Sequence, residues 1–384
     1  MKKLSERHRR ILIYRHHQAM KNRGKRNLFR SPTTVLFGDA VSVTLTTKSN
    51  REDAFGYRLT PPEVFCFEKN LSETIKFLDN FRKVILSRQR LRPRKRDRNK
   101  HHDKRWIGSF TDIAAINEIT PSAALVLAAE YDRIKRKNLG VKGIIDGDKW
   151  SSSVSGMLVD IGFFEYLNTE LPDTHMSDPP PLNTKMLQII TGNQSITEKI
   201  DKLNRGLEQL RNSVIKQPLR HAVFNGLTEA MDNCANHAYP RGHQFVYPVI
   251  PGCWWMSGSV TNSQDLEVIF FDQGATIPVT LPNSTNFEKI VQWFQHKFSI
   301  PLHKAHDGQR IQAAMAIGRS SDDTSGRGNG LATMKNLVDQ AAEQSSLQIL
   351  SRRGKYVYTK GRNERVESLD FSIGGTLIRW RLYL

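Results

Sequence analysis

Hydrophobic and polar positions follow two alternating periods along this chain, and each switch marks an element. Residues 31–47 are rich in β-branched side chains and predict one or two strands, and residues 63–67 predict another. Ile75, Leu78, Phe81 and Ile85 then share one face of a helix over residues 72–85. Residues 106–113 read as a strand, with residues 116–119 as its edge. Thr120 and Pro121 open a helix that runs to Ile134, with Thr120 as its cap. A strand at 142–145 and a helix at 156–167 follow. Strand, helix, strand, helix with short turns argues for an α/β layer.

The period is lost over residues 171–183, which contain Pro179, Pro180 and Pro181 and read as a stiff linker. It returns as a helix through Ile196, Ile200, Leu203, Leu207, Leu210 and Ile215. A second helix over 221–240 carries Val223, Leu227, Ala230, Met231, Cys234 and Ala238 as an apolar stripe suited to packing on a sheet. Beside the stripe stand Glu229, Asn233 and His237, four residues apart and so aligned on one helix face. Residues 266–271 predict a buried strand that runs into Asp272-Gln-Gly274. A helix is expected at 286–297, a loose polar stretch with Arg319 at 318–325, and a hairpin turn at 352–355. Gly326, Gly328 and Gly330 flank Arg327 and lead into a helical pattern. Alternate glycines let backbone amides approach phosphate, and a helix start favours negative charge.

Any one of these features is also ordinary structure, since an amphipathic helix with a solvated polar face has the same pattern. Their order and spacing resemble the GHKL ATPases, the superfamily of gyrase, heat-shock chaperone, histidine kinase and MutL type. The resemblance covers residues 195–384, and the Gly375-Thr376 pair in the last strand is similar to the anti-sigma-factor serine kinases. It implies ATP and Mg²⁺ as ligands in a Bergerat-type α/β sandwich. Asn233 would hold the Mg²⁺ that bridges the phosphates, and Glu229 would orient or deprotonate the attacking water or hydroxyl. Asp272 would accept from the adenine amino group, Gly274 would let the base approach, and Thr376 would bond near the ring. His237, Gly326, Arg327, Gly328 and Gly330 would complete the nucleotide site. Thr276 departs from the pattern, standing where the family has a second glycine. Residues 31–170 resemble a STAS domain, the fold of anti-sigma-factor antagonists, in which Ser122 would occupy the phospho-acceptor position. The motif there is loose, with Thr-Pro-Ser-Ala-Ala in place of the usual Asp-Ser-Ser-Gly.

Charge alters the picture of the N-terminal half alone. Residues 1–105 hold 28 Lys and Arg against 10 Asp and Glu, +18 of the chain's total of +19. Residues 1–30 read as a basic flexible arm or frayed helix, and residues 88–105 as a solvated loop or a polyanion patch through Arg92, Arg94, Lys95, Arg96 and Arg98. At 384 residues the chain is expected to hold two domains: arm 1–30, STAS-like domain 31–170, linker 171–194 and GHKL domain 195–384. No run of apolar residues suits a membrane span or signal peptide, and three cysteines without metal spacing fit reduced thiols, so a cytoplasmic location is expected. The expected function is an Mg·ATP-driven switch, by hydrolysis or by phosphoryl transfer to a protein hydroxyl, acting on a protein partner and compatible with a homodimer. A nucleotide sensor without turnover and a nucleotide-gated nucleic-acid effector are the alternatives.

Overall fold

The computed structural model describes residues 9–19, 40–44, 53–86, 95–139, 147–167, 184–261, 265–317 and 330–384. The chain divides into two compact units, one of residues 33–189 and 245–250, the other of residues 1–32, 190–244 and 251–384. Both mix helix and strand. Within the segment expected as a flexible arm or frayed helix, residues 9–19 form a helix, α1, that belongs to the second unit. Of the expected linker at 171–194, residues 171–183 lie outside the described residues, and the rest holds two short strands, Thr184–Met186 and Ile190–Gly192.

In the first unit β1 (Ala40–Thr44) pairs antiparallel with β2 (Asp53–Leu59). After β3 (Val64–Phe65), α2 (Leu71–Ile85) and α3 (Lys95–Lys100), strand β4 (Arg105–Thr111) runs parallel to β2. Strand β5 (Glu118–Ile119) was expected at the edge of β4; it pairs instead, in parallel, with β3. Helix α4 (Pro121–Arg136) is buried over most of its surface, and Thr120 precedes it without making a side-chain capping bond. Its core contacts include Tyr131 on Phe81 and on Phe163. Buried between α2 and α4, Glu130 receives Arg82 Nε at 2.9 Å and Arg133. The single helix expected at 156–167 is two, α5 (Ser152–Asp160) and α6 (Phe164–Leu167), because Gly162 at φ +78° turns the chain between them. Strand β6 (Thr184–Met186) closes this unit, with Met186 N donating to Asp160 Oδ2 at 3.4 Å.

The second unit is a layer of helices on an antiparallel sheet. Strand β7 (Ile190–Gly192) leads to α7 (Thr197–Arg211), which ends on Asn212 in the left-handed region, and then to α8 (Leu219–Asn233). A π-helical turn, Cys234–Ala238, continues α8. Strands β8 (Trp254–Thr261) and β9 (Leu266–Asp272) follow, then α9 (Ile277–Thr280), α10 (Phe287–Phe298), α11 (Asp307–Ile317) and α12 (Gly330–Asp339). Strands β10 (Ser346–Ser351), β11 (Gly354–Thr359), β12 (Arg365–Ser368) and β13 (Thr376–Leu382) complete it. The hairpin turn between β10 and β11 is where the sequence placed it, with Arg352 at φ +55°. Within this unit the strand order is β12-β11-β10-β13-β9-β8-β7, each pair antiparallel.

One face of the sheet carries the helices. Trp380 on β13 is fully buried and donates its indole N–H to the Met334 carbonyl of α12 at 2.9 Å. Gly226 of α8 lies over the same indole. On β8, a Cβ at Gly258 would sit 2.8 Å from Leu207 of α7, so this glycine lets that helix come close to the strand. Alternation along β13 then turns Thr376, Ile378 and Trp380 toward the helical layer.

Candidate nucleotide site

Register places a polar row at one end of that helical face. Ser351 of β10 lies opposite Thr376 of β13, Thr376 opposite Asp272 of β9, Asp272 opposite Trp254 of β8, and Trp254 opposite Gly192 of β7. Two residues the sequence kept far apart, Asp272 and Thr376, are thus neighbours. Ser351 Oγ and Thr376 Oγ1 are 2.9 Å apart, and Ser351 Oγ also accepts the Ile277 amide at 3.0 Å. Ser351 ties the chain leaving Asp272 back to the sheet. Sequence reasoning missed it, because a serine at a strand end carries no motif.

The Asp272 carboxyl is buried. Oδ1 accepts the Gly274 amide at 2.8 Å, and the Thr376 backbone amide bonds the same carboxyl. Burial still dominates and raises its pKa to about 7, the two amides offsetting only part of the desolvation.

Gly274 is also constrained by packing: a Cβ there would stand 2.5 Å from both Cβ and the carbonyl oxygen of Ala238, at the end of the π-turn. The Ala275 amide donates to that same carbonyl at 2.7 Å. Tyr239 fixes the junction further, donating to the Cys253 carbonyl at 2.7 Å and accepting the Gln273 amide at 3.2 Å. Gly375 is equally constrained, since a Cβ would fall 1.8 Å from the Asp272 carbonyl oxygen. Thr276 holds φ +79° and ψ 148°, a region that costs a β-branched residue strain and suits glycine. The departure from the expected motif is therefore one of residue type, while the backbone keeps the glycine-like conformation.

On α8, Asn233 Nδ2 donates to both the backbone carbonyl and Oε1 of Glu229. The two side chains meet, as their four-residue spacing predicts. Burial raises the Glu229 pKa, the bond from Asn233 pulls the other way, and the nearby Asp232 charge adds to the rise. Glu229 is thereby moved toward the range of a base that works near neutrality. His237 does not stay in line: the π-turn inserts a wider turn after Asn233, and His237 is exposed on it. Ser122 is completely buried at the start of α4, its hydroxyl 3.4 Å from that of Thr120, and so is closed to a kinase in this conformation.

Gly326, Arg327, Gly328 and Arg319 lie outside the described residues, and Gly330 begins α12. Arg92 and Arg94 also lie outside them. Lys95, Arg96 and Arg98 are exposed on α3, a helix where a solvated loop was expected, with Asp97 turned inward. Among the described residues, no cluster of three or more His, Cys, Asp or Glu could hold a metal ion, and no helix is long and apolar enough to cross a membrane. In comparison with known proteins, no family model matches the chain and no curated protein matches it significantly.

Proposed function

We propose that the second unit is a GHKL-type adenine-nucleotide site that takes Mg·ATP and acts as a switch, by hydrolysis or by phosphoryl transfer to a protein hydroxyl. The observation that carries this reading is the buried Asp272, held in the Ser351–Thr376–Asp272 row at the strand end next to the π-turn of α8. A desolvated carboxyl is costly to the fold, and a donor such as a ring amino group would return what burial removed. The glycine-rich sequence ahead of α12 would cradle phosphate through its amides. The first unit would regulate the switch as a STAS-like module; with Ser122 buried, regulation by phosphorylation there would require the start of α4 to open.

The residues present fit a hard, phosphate-bridging cation. Asn233 spends its N–H donors on Glu229, which leaves its amide oxygen as the donor atom for a metal. One neutral oxygen beside phosphates, without an acidic cage, suits Mg²⁺. When bound, Mg²⁺ would neutralise charge on the phosphates. Glu229, desolvated and in contact with Asn233, would accept the proton of the attacking water or hydroxyl.

Calorimetry and turnover on full-length variants test the assignment. Asp272→Asn should weaken Mg·ATP binding by about tenfold or more, the loss of a buried polar partner. Asn233→Ala should lose the Mg²⁺-dependent part of the affinity. Glu229→Ala should keep it and lower turnover by roughly 10² to 10⁴. Parental affinity in Asp272→Asn would remove that residue from the site, and binding without turnover in the parent would favour the sensor.

A further inference from the structure

Helix α1 has two faces of different character. On the inner face, Leu12 and Ile13 pack against the cluster that includes Leu281, Phe287 and Phe294. His16, also inward, is 1% exposed, and its ring stands edge-on to Phe287 at 6.2 Å. Its Nε2 lies 2.9 Å from the Pro278 carbonyl, and because a carbonyl only accepts, that nitrogen carries the proton. Pro278 belongs to α9, the turn reached from Asp272 through Gly274 and the strained Thr276. One hydrogen bond therefore joins the N-terminal helix to the segment leaving the base site.

The outer face is basic. Arg10, Ile11, Tyr14, Arg15 and His17 are exposed, Tyr14 at 64%. Lys304 adds a cation from another segment, near His303, which feels Arg15, Lys304 and Arg310, while His243 feels His17. Burial first, and these like charges next, hold both histidines below their ordinary range. Of the acids nearby, Glu288 lies 3.9 Å from Arg9, and Asp307 is engaged inside by Arg310 and Arg352.

We propose that the outer face of α1, with His303 and Lys304, is a contact surface for the phosphate backbone of a nucleic acid, and that His16 couples its occupancy to the nucleotide site. Cations drawn from separate segments onto one surface supply sequence-independent affinity for phosphate, and an exposed tyrosine among them can lie against a sugar or base. A nucleic acid matches the charge of this unit's own N-terminal segment, since residues 1–30 hold 11 Lys and Arg against a single acid, Glu6. The coupling rests on the reading of Asp272 as a base site, while the surface does not. Linkage makes the effect reciprocal, so nucleotide changes nucleic-acid affinity by the factor that nucleic acid changes nucleotide affinity.

The test uses the full chain and a labelled short DNA duplex, followed by anisotropy across a salt series with and without saturating Mg·ATP. Binding should weaken steeply with salt. Arg15→Glu combined with Lys304→Glu should lower DNA affinity by about tenfold or more and leave Mg·ATP affinity unchanged. Mg·ATP should shift the parent's DNA affinity by about fivefold or more, and His16→Ala should bind DNA without that shift. Because His16→Ala also opens a cavity, hydrogen exchange of residues 9–19 in the parent provides a second reading: it should change when Mg·ATP binds. DNA affinity untouched by the double charge reversal, or retention of polyglutamate in place of DNA, would overturn the surface. A nucleotide shift that persists in His16→Ala, or exchange in α1 that ignores bound nucleotide, would overturn the coupling. A parent that binds DNA at this surface but no nucleotide would sink the nucleotide reading and the coupling together, and leave the surface standing.

Discussion

Burial holds the proton on Asp272 up to about pH 7, so the group sets a pH dependence of its own. The folded pKa lies above the ordinary 3.8, which means the folded state keeps a proton that the unfolded chain releases. The stability linked to this group is thus complete below about pH 4, falls as pH rises to about 7 and is flat above, a total on the order of 4 kcal/mol. Asp272→Asn has no such titration. Urea unfolding should show the variant gaining on the parent between pH 4 and 8; a constant difference across that range would mean the carboxyl ionises freely in the fold. Asp272 itself was legible in the sequence as an acid at the end of an apolar strand. What the sequence hid is why its neighbours are glycines: Gly274 and Gly375 admit Ala238 and the Asp272 carbonyl, contacts made by residues distant in the chain.

Helix α8 shows how far periodicity reaches at the scale of an element. The four-residue spacing brings Glu229 and Asn233 into contact, as any regular helix would, but the π-turn after Asn233 puts His237 out of line. That turn is set by docking on the end of β9, through Ala238 and Ala275, and no local residue signals it. Helix α8 and the strand end it docks on also hold two glycines with opposite expected behaviour. A Cβ on Gly226 would meet the Trp380 ring at 3.5 Å, an ordinary contact, so Gly226→Ala should raise stability by about 0.5–1 kcal/mol through helix propensity. Gly274→Ala would push against the backbone of Ala238 and should cost about 2 kcal/mol or more. Chemical denaturation of both variants checks the pair; destabilisation by Gly226→Ala would show that α8 cannot take a methyl group against β13. In the first unit, the Arg82–Glu130–Arg133 cluster was equally invisible. Glu130 is buried, which alone would raise its pKa, yet the two guanidiniums hold it below the usual range.

For the whole molecule, the largest correction concerns its first residues. Their charge reads as a flexible arm or frayed helix outside any core, whereas α1 supplies Leu12, Ile13 and His16 to the second unit. Deleting residues 1–19 should expose the Phe287 cluster and cost that unit on the order of 3 kcal/mol, lowering its melting temperature by several degrees. Calorimetric scans of the full and shortened chains would show this, and an unchanged transition would return the helix to the status of an arm. The unit boundary shifts for a related reason. Residues 245–250 group with the first unit although the sequence assigns them to the second half, because membership depends on contacts and not on chain order.

By itself the sequence determined what short-range physics determines. Apolar periods placed α2, β4, α4, β9 and α10 within about two residues, while β2, β8 and α11 went unread; the 352–355 turn followed from Gly354 between two strands, and the line from Glu229 to Asn233 followed from helix geometry. It also singled out Asp272, since an acid directly after a buried strand has few structural uses. The rest needed register and packing. Only pairing across four strands sets Ser351, Thr376, Asp272 and Trp254 side by side, and only the approach of the α8 end makes Gly274 obligatory. Only burial raises Asp272 to about 7, and only the cluster beneath α1 turns a basic segment into part of a core. Those effects depend on which distant groups exclude water from a side chain, and that is settled when the chain closes on itself.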